Sequence, residues 1–235
     1  MILRAAPFVV LLGISAAHAN DFTTLGALGQ GDFHDLSKDL GAAMSYKGVT
    51  PATPLGVVGF DVGVEVTDTK LENSAAFSRA GAGSPSHLVM PKLHVYKGLF
   101  GGLDIGAFVA GASEVNATLF GADLRYALLD DTLVAPAVAL RLSGTKASGL
   151  GDLSLATGAL DIMVSKKFTA LTPYLGAGVM RVQAKARGTG LAQERFDESR
   201  VFGGLNANLV GGNFAVEAER TGANTSLSAK LGLRF

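Results

Sequence analysis

The sequence predicts an all-β fold: a transmembrane antiparallel β-barrel of about ten strands, with twelve as the alternative, preceded by a short N-terminal amphipathic helical segment. Three observations lead there. From residue 55 onward apolar and polar residues alternate with a period of two, which a strand sorts onto two faces and a helix scatters. The 235-residue chain is 48% hydrophobic with a mean hydropathy of +0.34. Yet beyond residue 20 no apolar run approaches the ~20 residues that a membrane-crossing helix needs. The third observation is that short, turn-like connections fall at one set of strand junctions and the longest ones at the alternate set.

Composition also excludes. Twenty basic side chains cancel twenty acidic ones, so no nucleic-acid partner is expected. The absence of cysteine removes disulfides, thiol nucleophiles and cysteine-based zinc sites.

Residues 1–19 pair Arg4 with an apolar stretch over 8–14 and an Ala17-His18-Ala19 cleavage pattern, and are expected to be a signal peptide removed after export. Residues 20–54 lack the period of two. Phe33, Leu36, Leu40 and Met44 are spaced by three and four, a short amphipathic helix with Asp35 near its start, and Thr50-Pro51-Ala52-Thr53-Pro54 breaks it. This segment is expected to be a periplasmic strap on the barrel rim or a plug in the lumen. The twelve-strand alternative would make 42–47 an extra strand.

The barrel is expected over 55–235. Residues 58–67 place Val58, Phe60, Val62, Val64 and Val66 on one face and Gly59, Asp61, Gly63, Glu65 and Thr67 on the other. Comparable segments follow at 89–96, 103–112, 119–128, 133–143, 153–166, 170–182, 200–210, 214–220 and 225–235. Most have the ~9–11 residues of a tilted bilayer-spanning strand. Connections at 97–102, 129–132, 167–169 and 211–213 read as turns, and those at 68–87, 144–152 and 183–199 as loops. An even strand count then leaves both barrel ends on the turn side.

The chain finishes Ser228-Ala229-Lys230-Leu231-Gly232-Leu233-Arg234-Phe235, alternate apolar residues ending on Phe. This resembles the terminal strand of Gram-negative outer-membrane β-barrel proteins, and 171–178 and 215–220 are similar to strands of small barrels of the OmpA and OmpX type. The resemblance implies an outer-membrane location, a final strand in which Leu231, Leu233 and Phe235 are the assembly signal, and periplasmic chaperones and the barrel-assembly machinery as partners during biogenesis. Outer-membrane lipid is the lasting partner and a monomer the expected state. With no Trp and four Tyr, the interfacial girdles must rest on Phe60, Phe120, Tyr126, Phe214 and Phe235.

Strand parity turns Asp61, Glu65, Lys92, His94, Asp104, Asp123, Arg125, Arg141, Asp161, Arg200, Glu217, Glu219, Lys230 and Arg234 inward. That is six fixed cations against seven anions, leaving His94 aside. A ten-stranded lumen is only slightly wider than the eight-stranded ones that side chains fill, so these charges are expected to pair and close it. The functional expectation is a closed, charge-paired barrel with a structural or surface-interaction role. The alternative is a narrow channel or small-solute transporter gated by the N-terminal segment. A rim hydrolase using His87 (with Ser84, Ser86, Asp68 and Glu72 nearby) or His94 is a third. No catalytic residue, metal site or cofactor is assigned, because three scattered histidines in 20–235 make no ligand cluster.

Overall fold

The computed structural model describes residues 22–235 apart from 113 and 116, so the expected leader lies outside the described residues. Ten strands form a closed barrel: β1 (Phe60–Lys70), β2 (His87–Gly98), β3 (Leu103–Ala112), β4 (Ala117–Leu129), β5 (Ala137–Ser148), β6 (Leu153–Ser165), β7 (Leu171–Ala186), β8 (Glu194–Leu209), β9 (Gly212–Thr221) and β10 (Asn224–Arg234). Each pairs antiparallel with its neighbour in sequence, and β1 pairs with β10 from Asp61↔Arg234 to Lys70↔Thr225. Closure leaves no unpaired edge, the condition for a sheet in hydrocarbon. The last residue completes it, with Phe60 and Phe235 exchanging backbone hydrogen bonds of 2.7 and 3.0 Å and stacking their rings.

The pleat sorts the side chains. In β1, Val62, Val64 and Val66 are exposed while Asp61, Glu65, Thr67 and Thr69 are buried. The same inversion runs round the barrel, where Leu93, Ile105, Leu124, Leu142, Leu160, Ile162, Val179, Leu231 and Leu233 face outward. A barrel dissolved in water would hide those residues; this one encloses its charges and presents an apolar belt, the pattern of a membrane-spanning barrel. No helix is long and apolar enough to cross a membrane among the described residues.

One rim carries the connections 99–102, 130–136, 166–170 and 210–211 together with Phe235, and is called the turn end. The other carries 71–86 and 187–193, and is the loop end. Exposed Phe100, Tyr126, Phe168, Phe214 and Phe235 cluster towards the turn end, whereas Phe120 lies in the loop-end half of β4. The aromatic girdle is therefore one-sided. At the turn end Lys166 bonds Asp131 at 2.9 Å and holds its carboxyl below the usual carboxylate range.

Four boundaries differ from expectation. β5 starts at Ala137, because Leu133 and Val134 are fully exposed in a turn that Pro136 ends. The stretch 183–199 is largely a hairpin, β7 and β8 each running 16 residues; its outward positions, Arg181, Gln183, Lys185, Arg195 and Asp197, are polar because they project past the apolar belt. The 68–87 loop contains a short helix α2 (Ser74–Arg79). Residues 42–47 finish a helix and enter a coil, which removes the twelve-strand alternative.

That helix, α1 (Gln30–Ala43), sits in the loop-end mouth, and residues 44–55 descend through the lumen to the turn end. The N-terminal segment is thus an internal plug rather than a rim strap, and residue 22 lies at the rim opposite Phe235. Its stripe of Phe33, Leu36, Leu40 and Met44 packs with Phe77, Leu88, Met90 and Val182 on the mouth wall. A helix with one apolar stripe needs such a wall, and the outside of the barrel is already committed to lipid.

Gly178 faces the lumen in β7, where a Cβ would strike the Leu160 carbonyl and the Asp161 side chain. Gly178→Val should cost at least the ~1–3 kcal/mol of an overpacked interior. The check is loss of the heat-dependent gel shift that marks a folded barrel.

Candidate functional site

The lumen is the candidate site, and strand parity alone determines its wall. Of the fourteen inward-facing residues named above, thirteen are buried and Arg234 is half-buried. They form short linked sets. Asp61 receives Lys230 at 2.9 Å and Arg234 at 3.4 Å, with His94 Nε2 also 3.4 Å away. Glu65 takes Lys92 at 2.6 Å, and Arg125 Nε donates to Asp104 at 3.2 Å. Asp161 sits between Arg141 (2.9 Å) and Arg200 (3.1 Å), and both guanidinium groups lie over the Phe202 ring. Burying charge in this way is tolerable only with partners at hand.

The plug supplies the partners that the wall lacks. The Tyr46 hydroxyl donates to Asp123 at 2.7 Å and lies 2.8 Å from the Tyr96 hydroxyl. Thr145 donates to the Met44 carbonyl, Arg125 to the Pro51 carbonyl at 2.7 Å, and Arg234 to Thr50 at 2.7 Å. Lys47, fully buried, lies 3.6 Å from Glu219 while its ammonium donates to the Ala42 carbonyl at 2.7 Å. At the mouth Asp32 pairs with Arg79 of α2, and Asp39 accepts from Asn73 and Asn224. Tyr46, Lys47, Thr50 and Asp39 were not among the residues expected in the site. One signal pointed their way: the wall's six cations leave its seven anions one short.

The polar sets are incompletely matched. Arg141 Nη1 and Nη2, Arg200 Nη1 and Nη2, Glu217 Oε1, Glu219 Oε2 and Asp123 Oδ2 are buried without a hydrogen bond. A core welded shut for stability satisfies such atoms, and natural proteins leave few. Tyr174 donates to the other Glu217 oxygen at 2.9 Å.

The two histidines weighed for catalysis part company. His87 Nδ1 is 3.0 Å from both Asp68 oxygens on the exposed loop-end rim, but no serine hydroxyl hydrogen-bonds it among the described residues. His94 is buried between Asp61 and Glu65, inside the plugged lumen and away from either rim. No group of three His, Cys, Asp or Glu that could hold a metal occurs among the described residues. Leu231 and Leu233 face the lipid side, and Phe235 is exposed at the turn end.

No protein-family model matches the chain, and no curated protein sequence matches it. Among solved structures it is similar to the KdgM porin in complex with disordered oligogalacturonate, at 10% identity and a TM-score of 0.37 over 76% of this chain and 99% of that one. It is also similar to Ail, the attachment invasion locus protein of Yersinia pestis, in complex with the heparin analogue sucrose octasulfate, at 12% identity and a TM-score of 0.30 over 75% and 97%. These superpositions are slight, and the fold stands on the strand pairing of this chain. That pairing makes its own prediction. Arg141→Gln leaves Asp161 with Arg200 alone in a dry interior and should destabilise the barrel, read as a lower urea midpoint of the folded state.

Proposed function

We propose that the protein is an outer-membrane barrel held closed by its own N-terminal segment, and that the lumen becomes a narrow passage when that segment withdraws. One observation carries this: the filler is a separate piece of chain, joined to the barrel covalently only near Leu55, and it meets the middle of the wall through polar contacts that leave several buried atoms unmatched. An eight- to ten-stranded barrel built only as a scaffold can fill its interior with wall side chains. Here wall side chains such as Tyr96, Phe108, Tyr174 and Phe202 lie over the lumen glycines Gly106, Gly121, Gly204 and Gly176, and residues 44–55 run through the interior that is left. The inverted faces and the terminal Phe support the outer membrane as its location, with lipid round the belt.

A purely structural or surface-displaying barrel remains the second reading, favoured by the exposed β7–β8 hairpin and α2 beside α1. A reversible lock separates the two. A Cβ on Gly41 would lie 3.4 Å from Val182 Cβ, close to the spacing of a disulfide, and the chain has no other cysteine. The doubly substituted full-length chain, Gly41→Cys with Val182→Cys, should stay silent in a planar bilayer when oxidised. When reduced it should show discrete current steps. Silence in both states, with the barrel folded, would leave the structural reading.

A further inference from the structure

Three basic side chains of the plug each lie against a carboxylate of the wall, in descending order through the mouth. His34 Nδ1 is 2.8 Å from Glu194, Lys38 is 3.8 Å from Glu198, and Lys47 is 3.6 Å from Glu219. The series runs from the half-exposed rim, where Lys38 is 40% exposed, to the dry interior, where Lys47 is 0% exposed. The plug's acids do not repeat the pattern on wall cations: Asp32 goes to Arg79 in the 71–86 connection and Asp39 to neutral amides. Withdrawal therefore takes basic side chains from one side of the lumen: Glu194 and Glu198 lose their plug partners, and Glu219 keeps only Arg200, 3.4 Å away.

That side is already built of oxygen. Thr67 and Ser228, and Thr69 and Ser226, pair their hydroxyls at 2.8 Å across β1 and β10, and Thr221 donates to Glu219 at 2.9 Å. Glu217 Oε1 and Glu219 Oε2 are more than nine-tenths buried and lack a hydrogen bond. Above them, between plug and wall at the mouth, a cavity of about 300 Å³ is lined by Glu72 and Glu198 on the barrel side and by Asp35 and Lys38 on the plug side. Thr221 lines that cavity, two residues from Glu219. Acid at the mouth thus leads to acid in the interior. Arg125 on β4 and Arg141 on β5 pair with Asp104 and Asp161, whereas Arg200 on β8 lies 3.1 Å from Asp161 and 3.4 Å from Glu219.

We propose that the passage is one for small cations, primary ammonium ions included, and that Lys47 is a tethered occupant of the innermost cation site, beside Glu217 and Glu219. This rests on the reading that the plug withdraws. Fixed charge of one sign along a narrow path selects the opposite ion, and an ammonium is a compact charge that a free cation can replace.

Two measurements on the full-length chain test it. In a planar bilayer under a KCl gradient, the steps of the reduced Gly41→Cys, Val182→Cys chain should reverse at the sign of K⁺ preference, with K⁺ passing severalfold more readily than Cl⁻. Glu219→Gln in that background should reduce the preference. Steps without preference, or preferring Cl⁻, would overturn the cation inference while leaving plug withdrawal standing. Silence would overturn withdrawal and a cation path with it, and the site itself is then judged by the second measurement.

Lys47→Ala leaves room beside Glu219, and methylammonium chloride should raise the lowered thermal midpoint by about 2–4 °C. Equal tetramethylammonium chloride, too large for the space, should not. Restoration by neither salt, or equally by both, would mean that no cation site exists there.

Discussion

Charge inside a barrel that is sheathed in hydrocarbon has nowhere to find a partner except across the lumen. That constraint organises the molecule. Over the apolar belt the outer face is fixed by lipid as Val, Leu and Ile, so the charged residues of the alternation there are driven inward. Asp161 accordingly draws Arg141 and Arg200 towards it, and Asp61 draws Lys230 and Arg234. Most of these pairs join neighbouring strands, while Arg200 on β8 reaches past β7 to Asp161 on β6. Asp123 is completed from outside the wall by Tyr46, and Lys47 joins Arg200 beside Glu219, so the position of the plug follows from these polar contacts as much as from its apolar stripe.

Contacts along the plug grade from wet to dry. At the mouth, Asp32–Arg79 and Lys38–Glu198 are partly solvated pairs, which contribute little apiece and weaken further in salt. Beneath them the Phe33, Leu36 and Leu40 stripe is fully buried, and lower still come the interior bonds of Tyr46 and Thr50. Local opening would begin where exposure is greatest and burial least, at the helix N-terminus. The covalent join to the barrel lies at the other rim.

Much of this was legible before any coordinates. A period of two leaves a wall residue only two directions, and membrane insertion decides which is which; hence Asp61, Arg141 and Lys230 could be placed inside from parity alone. The terminal strand was equally plain, since Leu231, Leu233 and Phe235 alternate without interruption. Strand ends were not. Above the apolar belt the outward face turns polar, so Gln183–Ala184–Lys185 offers no apolar face to betray its strand. Nor could the helix be assigned to a rim: Phe33, Leu36, Leu40 and Met44 announce a buried stripe but not the wall that buries it. Lys47 left only an arithmetical trace, because its partner Glu219 is 172 positions away in sequence, and nothing local marks the pair.

The path of residues 44–55 has a topological consequence. Chain enters the lumen beside β1 and emerges at the opposite rim, so the ring of hydrogen bonds encircles it like a bead on a thread. β1 is the strand attached to the thread, and its pairing with β10 is the seam that closes the ring. Laying the segment on the inner face of an open, curling sheet requires no threading at all, whereas drawing α1 through a finished barrel means dragging a folded helix past Arg141 and Asp161. The seam thus orders assembly in time: the route without threading occupies the inside before the ring is sealed. The last residue of the chain, bonded to Phe60, is the clasp.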